Sequence, residues 1–424
     1  GKQMLNNMIQ LVRNFRQKDH IRAAGRQPTM VSLAALFHKS QEVPLDILTY
    51  THDHDLFRNR LRDFLAREVT PYADQWEKDR SVSREIWHKM GRAGFLCMDV
   101  PPVYGGRGGD FRYAAILTEE MSRTGINGLA ASLHSDIVVP YIMAFGSDAQ
   151  KQRYLPGCVS GDIVTAIAMT EPDAGSDLAG IRTLAEEDGD DVVLNGTKTF
   201  ISNGLLCDLV IVAAREADLD NPHLGLSLYL VEDGTEGFTR GRHLEKMGWH
   251  SQDTAELFFT NCRIPAANRL GAKGYGFVMM MEKLQQERIV AALGAVAAAE
   301  RIMAWTIDFC TRHREGGKPL SKRQAVQFAI VELSTEVKLG RTFIDKLIAD
   351  HIEGRKVAVE TAMAKYWTTE MAKRVADRCL DLVGPHAMPD DHPLVRAFRD
   401  VRVMSIFAGT NEIMKGIAAR FMRL

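Results

Sequence analysis

Apolar positions recur at helical spacing over roughly residues 53–160: Leu56, Leu61, Phe64 and Leu65, then Ile86 and Met90, then Ile116, Leu117 and Met121. Proline and glycine at 101–109 interrupt them. From about residue 162 to 270 the period changes to short β-branched or alternating runs at 163–169, 191–194, 209–213, 226–231 and 255–259, separated by Asn-Gly, Asp-Gly and glycine-rich turns. Helical spacing then returns over 277–314, 321–352, 357–383 and 411–420. Strands and helices are segregated along the chain, which excludes a doubly wound α/β sheet and predicts an α+β protein of several domains. We expect a basic extension over 1–46, a helical domain over 47–161, a middle β domain of sandwich or barrel type over 162–272 and a helical bundle over 273–424. No G-x-G-x-x-G follows a strand, so any cofactor is held outside a Rossmann turn.

The 424 residues are enough for a large core, and 46% apolar with 25% charged residues is the composition of a compact globular chain. Lys plus Arg number 53 against 54 Asp plus Glu, which offers no basic field for nucleic acid. The longest uncharged apolar run, 289–299, falls short of the ~20 residues that cross a bilayer, so no transmembrane segment is expected. Six scattered cysteines form no C-x-x-C pair, which argues against a metal site and for a reducing intracellular compartment, cytoplasm or mitochondrial matrix. The first thirty residues carry Lys2, Arg13, Arg16, Lys18, Arg22 and Arg26 against Asp19 alone; this reads as a basic amphipathic arm or a solvated extension.

Four segments carry chemistry. Ala168-Met169-Thr170-Glu171-Pro172-Asp173-Ala174-Gly175-Ser176-Asp177 leaves a strand into a turn of small residues, where amides and hydroxyls can meet a flavin, a phosphate or a thioester; on composition alone the plainer reading is an ordinary loop. Lys198-Thr199-Phe200-Ile201-Ser202-Asn203-Gly204 sets a ring and a hydroxyl on one strand face, as a platform for a flat partner or as core. Glu287-Arg288 sits at the edge of a long apolar helical run, where desolvation makes a carboxylate a better base near neutrality; its plain reading is a surface ion pair. Ile406-Phe407-Ala408-Gly409-Thr410-Asn411-Glu412-Ile413 places small residues and a cap before a helix, free amides that suit an oxyanion or simply begin the helix.

Together and in this order, these segments resemble the acyl-CoA dehydrogenase family from about Asp53 onward. Ser132-Leu133-His134-Ser135-Asp136-Ile137-Val138, Lys246-Met247-Gly248-Trp249 and Asp253-Thr254-Ala255-Glu256-Leu257-Phe258-Phe259 look most like its long-chain branch. The resemblance implies a C-terminal four-helix bundle, bound FAD, an acyl-CoA substrate, electron-transfer flavoprotein as acceptor and a homodimer or homotetramer. It assigns Met169, Thr170, Ser176, Phe200, Ser202, Gln324, Thr410 and Glu412 to FAD, and Ser176, Arg288, Phe407 and Ala408 to substrate. Family members carry the catalytic carboxylate either in the loop position held here by Ala408, which takes no proton, or on the first helix of the last domain, which places it at Glu287. The implied activity is α,β-dehydrogenation of an acyl-CoA, long or branched given the small residues Gly128, Ala130, Ala131 and Ser132, to trans-2-enoyl-CoA.

Two segments depart from the family. Aligned on Gly317-Lys318-Pro319-Leu320, His313 and Gly316 replace the usual arginine and phenylalanine, and Asp381-Leu382-Val383-Gly384-Pro385 replaces Gln-x-x-Gly-Gly. Arg312 or Arg314 can stand in for the displaced cation by a one-residue shift. An acid near a pyrophosphate repels it, and Pro385 has no N–H to donate, so weak FAD retention is expected. These departures also keep two alternatives in view: an acyl-CoA oxidase, and a catalytically silent acyl-CoA- or lipid-binding scaffold or partner subunit.

Overall fold

The computed structural model describes residues 47–219, 221, 224–389 and 391–424. The expected basic arm therefore lies outside the described residues. Six helices come first: α1 (His52–Glu68), α2 (Ala73–Asp79), α3 (Arg84–Ala93), α4 (Phe111–Thr124), α5 (Val139–Phe145) and α6 (Asp148–Ser160), with a π-helical turn at Leu133–Val138. Their starts follow local chemistry. Asp110 caps α4 by accepting the Arg112 N–H at 2.9 Å, and Ser147 and Gln150 close a reciprocal capping box at α6.

Eight strands then form one sheet: β1 (Thr165–Ala168), β2 (Leu184–Asp188), β3 (Asp191–Ser202), β4 (Leu209–Glu216), β5 (Leu226–Glu232), β6 (Phe238–His243), β7 (Thr254–Pro265) and β8 (Arg269–Leu270). The path runs β6-β7-β3-β2-β4-β5-β8, and β1 pairs in parallel with β4. The unbroken apolar run of β4 is explained by burial on both faces. Leu209, Ile211 and Ala213 pack with the N-terminal helices, while Val210, Val212 and Ala214 pack in the sheet's own core.

The C-terminal helices are α7 (Gly276–Arg312), α8 (Gln324–Ile352), α9 (Ala358–Val383), α10 (Pro393–Val401) and α11 (Asn411–Phe421). The chain is thus N-terminal helical, middle β and C-terminal helical. By length and composition α7 is apolar enough to cross a membrane, yet 67% of that stretch is buried inside the protein, where Ala292, Val296 and Ala299 share a core with Met371, Ala372 and Val375 of α9. A buried ionic cluster fixes α7 against the N-terminal helices. Glu119 of α4 accepts from Arg58 of α1 at 2.6 Å and from Arg341 of α8 at 2.7 Å, and Arg341 also donates to Glu300 of α7 at 2.7 Å.

Candidate active site

A cavity of about 290 Å³ lies where the three regions meet. On α7, Glu287, Val290, Ala291 and Gly294 line it at i, i+3, i+4 and i+7, a single helix face. Glu287 is only 7% exposed, and burial pushes its carboxyl up to about 7, against the downward pull of the Tyr141 hydrogen bond and the Arg288 charge. The Tyr141 hydroxyl donates to Glu287 Oε1 at 2.8 Å. A carboxyl that is half ionised near neutrality and faces a cavity has the property required of a general base. Replacing Tyr141 with Phe is expected to raise the apparent pKa of substrate-dependent flavin reduction by about one unit, because a bond to the charged form is lost. A pH–rate profile checks this, and an unmoved profile would show that the hydroxyl does not tune the carboxyl.

The first loop is held from below. Glu171 accepts from the Arg182 and Thr183 N–H groups at 2.7 and 2.9 Å and from Lys198 Nζ at 2.8 Å. Lys198, wholly buried, also donates to the Met169 carbonyl at 3.1 Å, which fixes Met169 and Thr170 on the cavity wall. Burial lowers Lys198 to about 8, partly offset by Glu171. The second segment is bulged. The β3–β7 register shifts between Lys198 and Ile201, and Phe200 adopts a φ of +56°. Its ring stands 67% exposed beside Ser202 at the cavity, an uncommon conformation for a bulky residue that persists where the surrounding structure enforces it.

Opposite lies the loop before α11, with Phe407 and Ala408 on the cavity wall. Ala408 has a φ of +51° and Gly409 a φ of +90°, and the Ala408 N–H finds no hydrogen-bond partner among the described residues. Lys365 of α9, fully buried, reaches under this loop. Its Nζ donates to the Gly409 carbonyl at 2.6 Å and to Asn411 Oδ1 at 3.3 Å, while Thr369 Oγ1 donates to the same Asn411 oxygen at 3.1 Å. Burial, with Arg288 nearby, lowers Lys365 to about 7.

The structure thus brings Met169, Thr170, Phe200, Ser202, Glu287, Phe407 and Ala408 around one cavity. It does not bring the others there. Ser176, Gln324 and Glu412 are exposed, Thr410 caps α11 by accepting the Ile413 N–H at 3.3 Å, and Arg288 is turned off the cavity face, buried with its Nε unpartnered. Four residues were not foreseen. Tyr141 and Lys365 leave a trace in the sequence as polar groups at core-periodic positions; Gln252 and Trp249 complete the wall from the β6–β7 turn. Gln252 is 1% exposed and its Oε1 is an unsatisfied acceptor. A flat heterocycle bearing hydroxyls or N–H donors fits this wall: an exposed ring to stack on, the Thr170 and Ser202 hydroxyls, and an acceptor still needing a donor.

Acyl-CoA dehydrogenase N-terminal, middle and C-terminal domain models match residues 51–162, 166–262 and 274–423. The chain belongs to the acyl-CoA dehydrogenase family. It is 44% identical over 374 residues to the mitochondrial long-chain specific acyl-CoA dehydrogenase of Sus scrofa, covering 88% of this chain and 86% of that one. Among solved structures it resembles an acyl-CoA dehydrogenase from Geobacillus kaustophilus, with TM-score 0.87 and 48% identity over 88% of this chain and 99% of the other. It also resembles butyryl-CoA dehydrogenase from Megasphaera elsdenii, with TM-score 0.85 and 30% identity over 89% of this chain and all of the other. The chain is an FAD-dependent oxidoreductase of this family.

Proposed function

We propose that the chain oxidises a long- or branched-chain acyl-CoA to the trans-2-enoyl-CoA, with Glu287 as the base. The observation that carries this reading is the buried carboxyl of Glu287 facing the cavity that Ala408 borders, with its pKa raised to about 7. A thioester α-C–H is weakly acidic, so its removal needs a donor at the carbonyl oxygen where enolate charge develops; the unpartnered Ala408 N–H supplies one. A backbone donor needs no particular side chain, which explains why alanine suffices there. Glu287 takes the α-proton, and the cavity's apolar wall of Val290, Ala291 and Met404 excludes water from the base. Met169, Thr170, Phe200 and Ser202 would hold the flavin ring, and bound FAD supplies the acceptor for the β-hydride.

The acceptor after FAD we take to be an electron-transfer flavoprotein, and oxygen the alternative, in which case turnover releases peroxide. The compartment would be cytoplasm or mitochondrial matrix, in keeping with described cysteines that are all free and buried. Assembly into a homodimer or homotetramer would cover Phe328, Val331 and Leu339, exposed along α8. The test of the reaction is anaerobic titration of the yellow holoprotein with a panel of acyl-CoAs: at least one is expected to bleach the flavin band, and no bleaching by any would overturn the reading.

Retention of FAD is expected to be weak. His313 stacks on Phe309 and lies 4.3 Å from His386, while Arg312 pairs with Asp308 and Arg314 donates to the Gly317 carbonyl, so both arginines are engaged locally. Dialysis should leave a flavin-to-protein ratio well below one, and stoichiometric flavin after dialysis would contradict this.

A further inference from the structure

The small residues at 128–132 leave less room than their size suggests. Ala130 and Ser132 do face the cavity, but Ala131 is fully buried elsewhere, and the space left by Gly128 is taken: a Cβ there would meet Ser251 at 2.5 Å. What fills it is the turn from Gly248 to Gln252, and that turn is held on every side. Gly248 is pressed on α10, where a Cβ would meet the Arg399 backbone at 2.7 Å. Ser251 donates through its N–H and hydroxyl to Glu77 Oε1 at 3.1 and 2.5 Å.

Trp249 stands at the centre of this turn with a φ of +53° and its indole on the cavity wall. Its N–H donates to Asp400 Oδ1 at 2.6 Å and its indole Nε1–H to the Asp400 carbonyl at 3.0 Å. Asp400 Oδ2 in turn accepts from Asn127 Nδ2 at 2.8 Å, tying the turn to the 126–130 segment. The indole meets Phe407 edge-on at 5.4 Å. With backbone and ring nitrogen both bonded to one buried residue, the ring cannot swing aside for a ligand.

We infer that Trp249 determines acyl specificity: its fixed indole admits a slender, unbranched chain between the 126–130 segment and Phe407 and rejects a branched or ring-bearing one. This rests on the reading that the cavity receives the acyl group, and it narrows that reading towards straight chains. A rigid apolar wall discriminates by steric exclusion, and relieving it by a few carbon atoms changes selectivity by about tenfold or more.

The experiment compares FAD-loaded parent, Trp249→Leu and Trp249→Phe proteins by anaerobic stopped-flow reduction with dodecanoyl-CoA and with methyl-branched and ω-phenyl acyl-CoAs. Flavin content and Tm are measured alongside. The ratio of branched or phenyl to straight-chain reduction efficiency, the limiting flavin-reduction rate divided by the apparent Kd, is expected to rise about tenfold in the Leu variant, with the Phe variant between it and the parent. If the parent is bleached and the ratio is unmoved in a variant that keeps its flavin, this inference falls alone. If no acyl-CoA bleaches the parent, the functional reading falls and takes it along. If both variants lose flavin or fold, the indole is a strut between domains and the inference is overturned.

Discussion

Glu287→Gln protein, loaded with FAD, is expected to bind acyl-CoA yet reduce its flavin about 10²–10⁴-fold more slowly than the parent. The amide keeps the size of the side chain and can still accept the Tyr141 hydrogen bond at 2.8 Å, but it cannot take a proton. In the parent the rate should rise with pH through about 7, the pH at which the carboxyl ionises, and this limb should vanish in the variant. Stability gives an independent reading. The carboxyl binds its proton more tightly folded, with pKa about 7, than unfolded, with the ordinary 4.5, so its burial costs nothing below about pH 4.5. Stability worth about 3 kcal/mol is then lost as pH rises from about 4.5 to 7, where the unfolded chain has released the proton and the folded one still holds it, and the loss is complete above 7. The Gln variant should therefore gain Tm relative to the parent at pH 8 and not at pH 4. Equal bleaching rates would remove Glu287 from the chemistry whatever the melting curves show.

Lys365→Met should lower the rate of flavin reduction by about 10²-fold, the effect of losing one donor to a developing oxyanion. The lysine touches no ligand-facing surface. It acts through the Gly409 carbonyl, and without it the left-handed Ala408–Gly409 step loses the bond that aims the Ala408 N–H. A merely structural lysine would lower Tm and leave the chemistry alone, so the deciding readout is spectroscopic. A 3-thiaacyl-CoA, acidic at its α-carbon but not oxidised, should ionise readily beside the parent's flavin, giving a long-wavelength charge-transfer band, and only at higher pH in the variant. Lys365→Arg, retaining a donor, should recover part of the band. A band that forms equally in all three proteins would reduce Lys365 to packing.

The helical–β–helical order was readable because apolar period alone distinguishes α7 or α9 from β4. The short strand β2 was not, since Glu186, Glu187 and Asp188 are exposed and give it no apolar alternation, and α10 escaped because its nine residues, though amphipathic, are shorter than the window over which a helical period is read. For the site, the segments at 168–177, 198–204 and 406–413 and the Glu287-Arg288 pair stood out by residue type, and the resemblance gave them their roles, with Ala408 excluding the other location for the base. Tyr141, Lys365 and Gln252 stayed hidden because their roles depend on contacts between regions far apart in sequence: Tyr141 on α5 meets α7, and Lys365 on α9 meets the loop before α11. The bulge that turns Phe200 outward was equally illegible, since strict alternation would set it by strand parity rather than by a left-handed φ.

Asp400 joins three regions on one carboxylate and one carbonyl: Asn127 from the first, Trp249 from the second, and its own helix from the third. On the specificity proposed for Trp249, a change of substrate range at this corner is coupled to the cohesion of the three regions. A lineage that reshapes the indole side of the cavity must first restore, somewhere else, the adhesion between regions that the same hydrogen bonds provide.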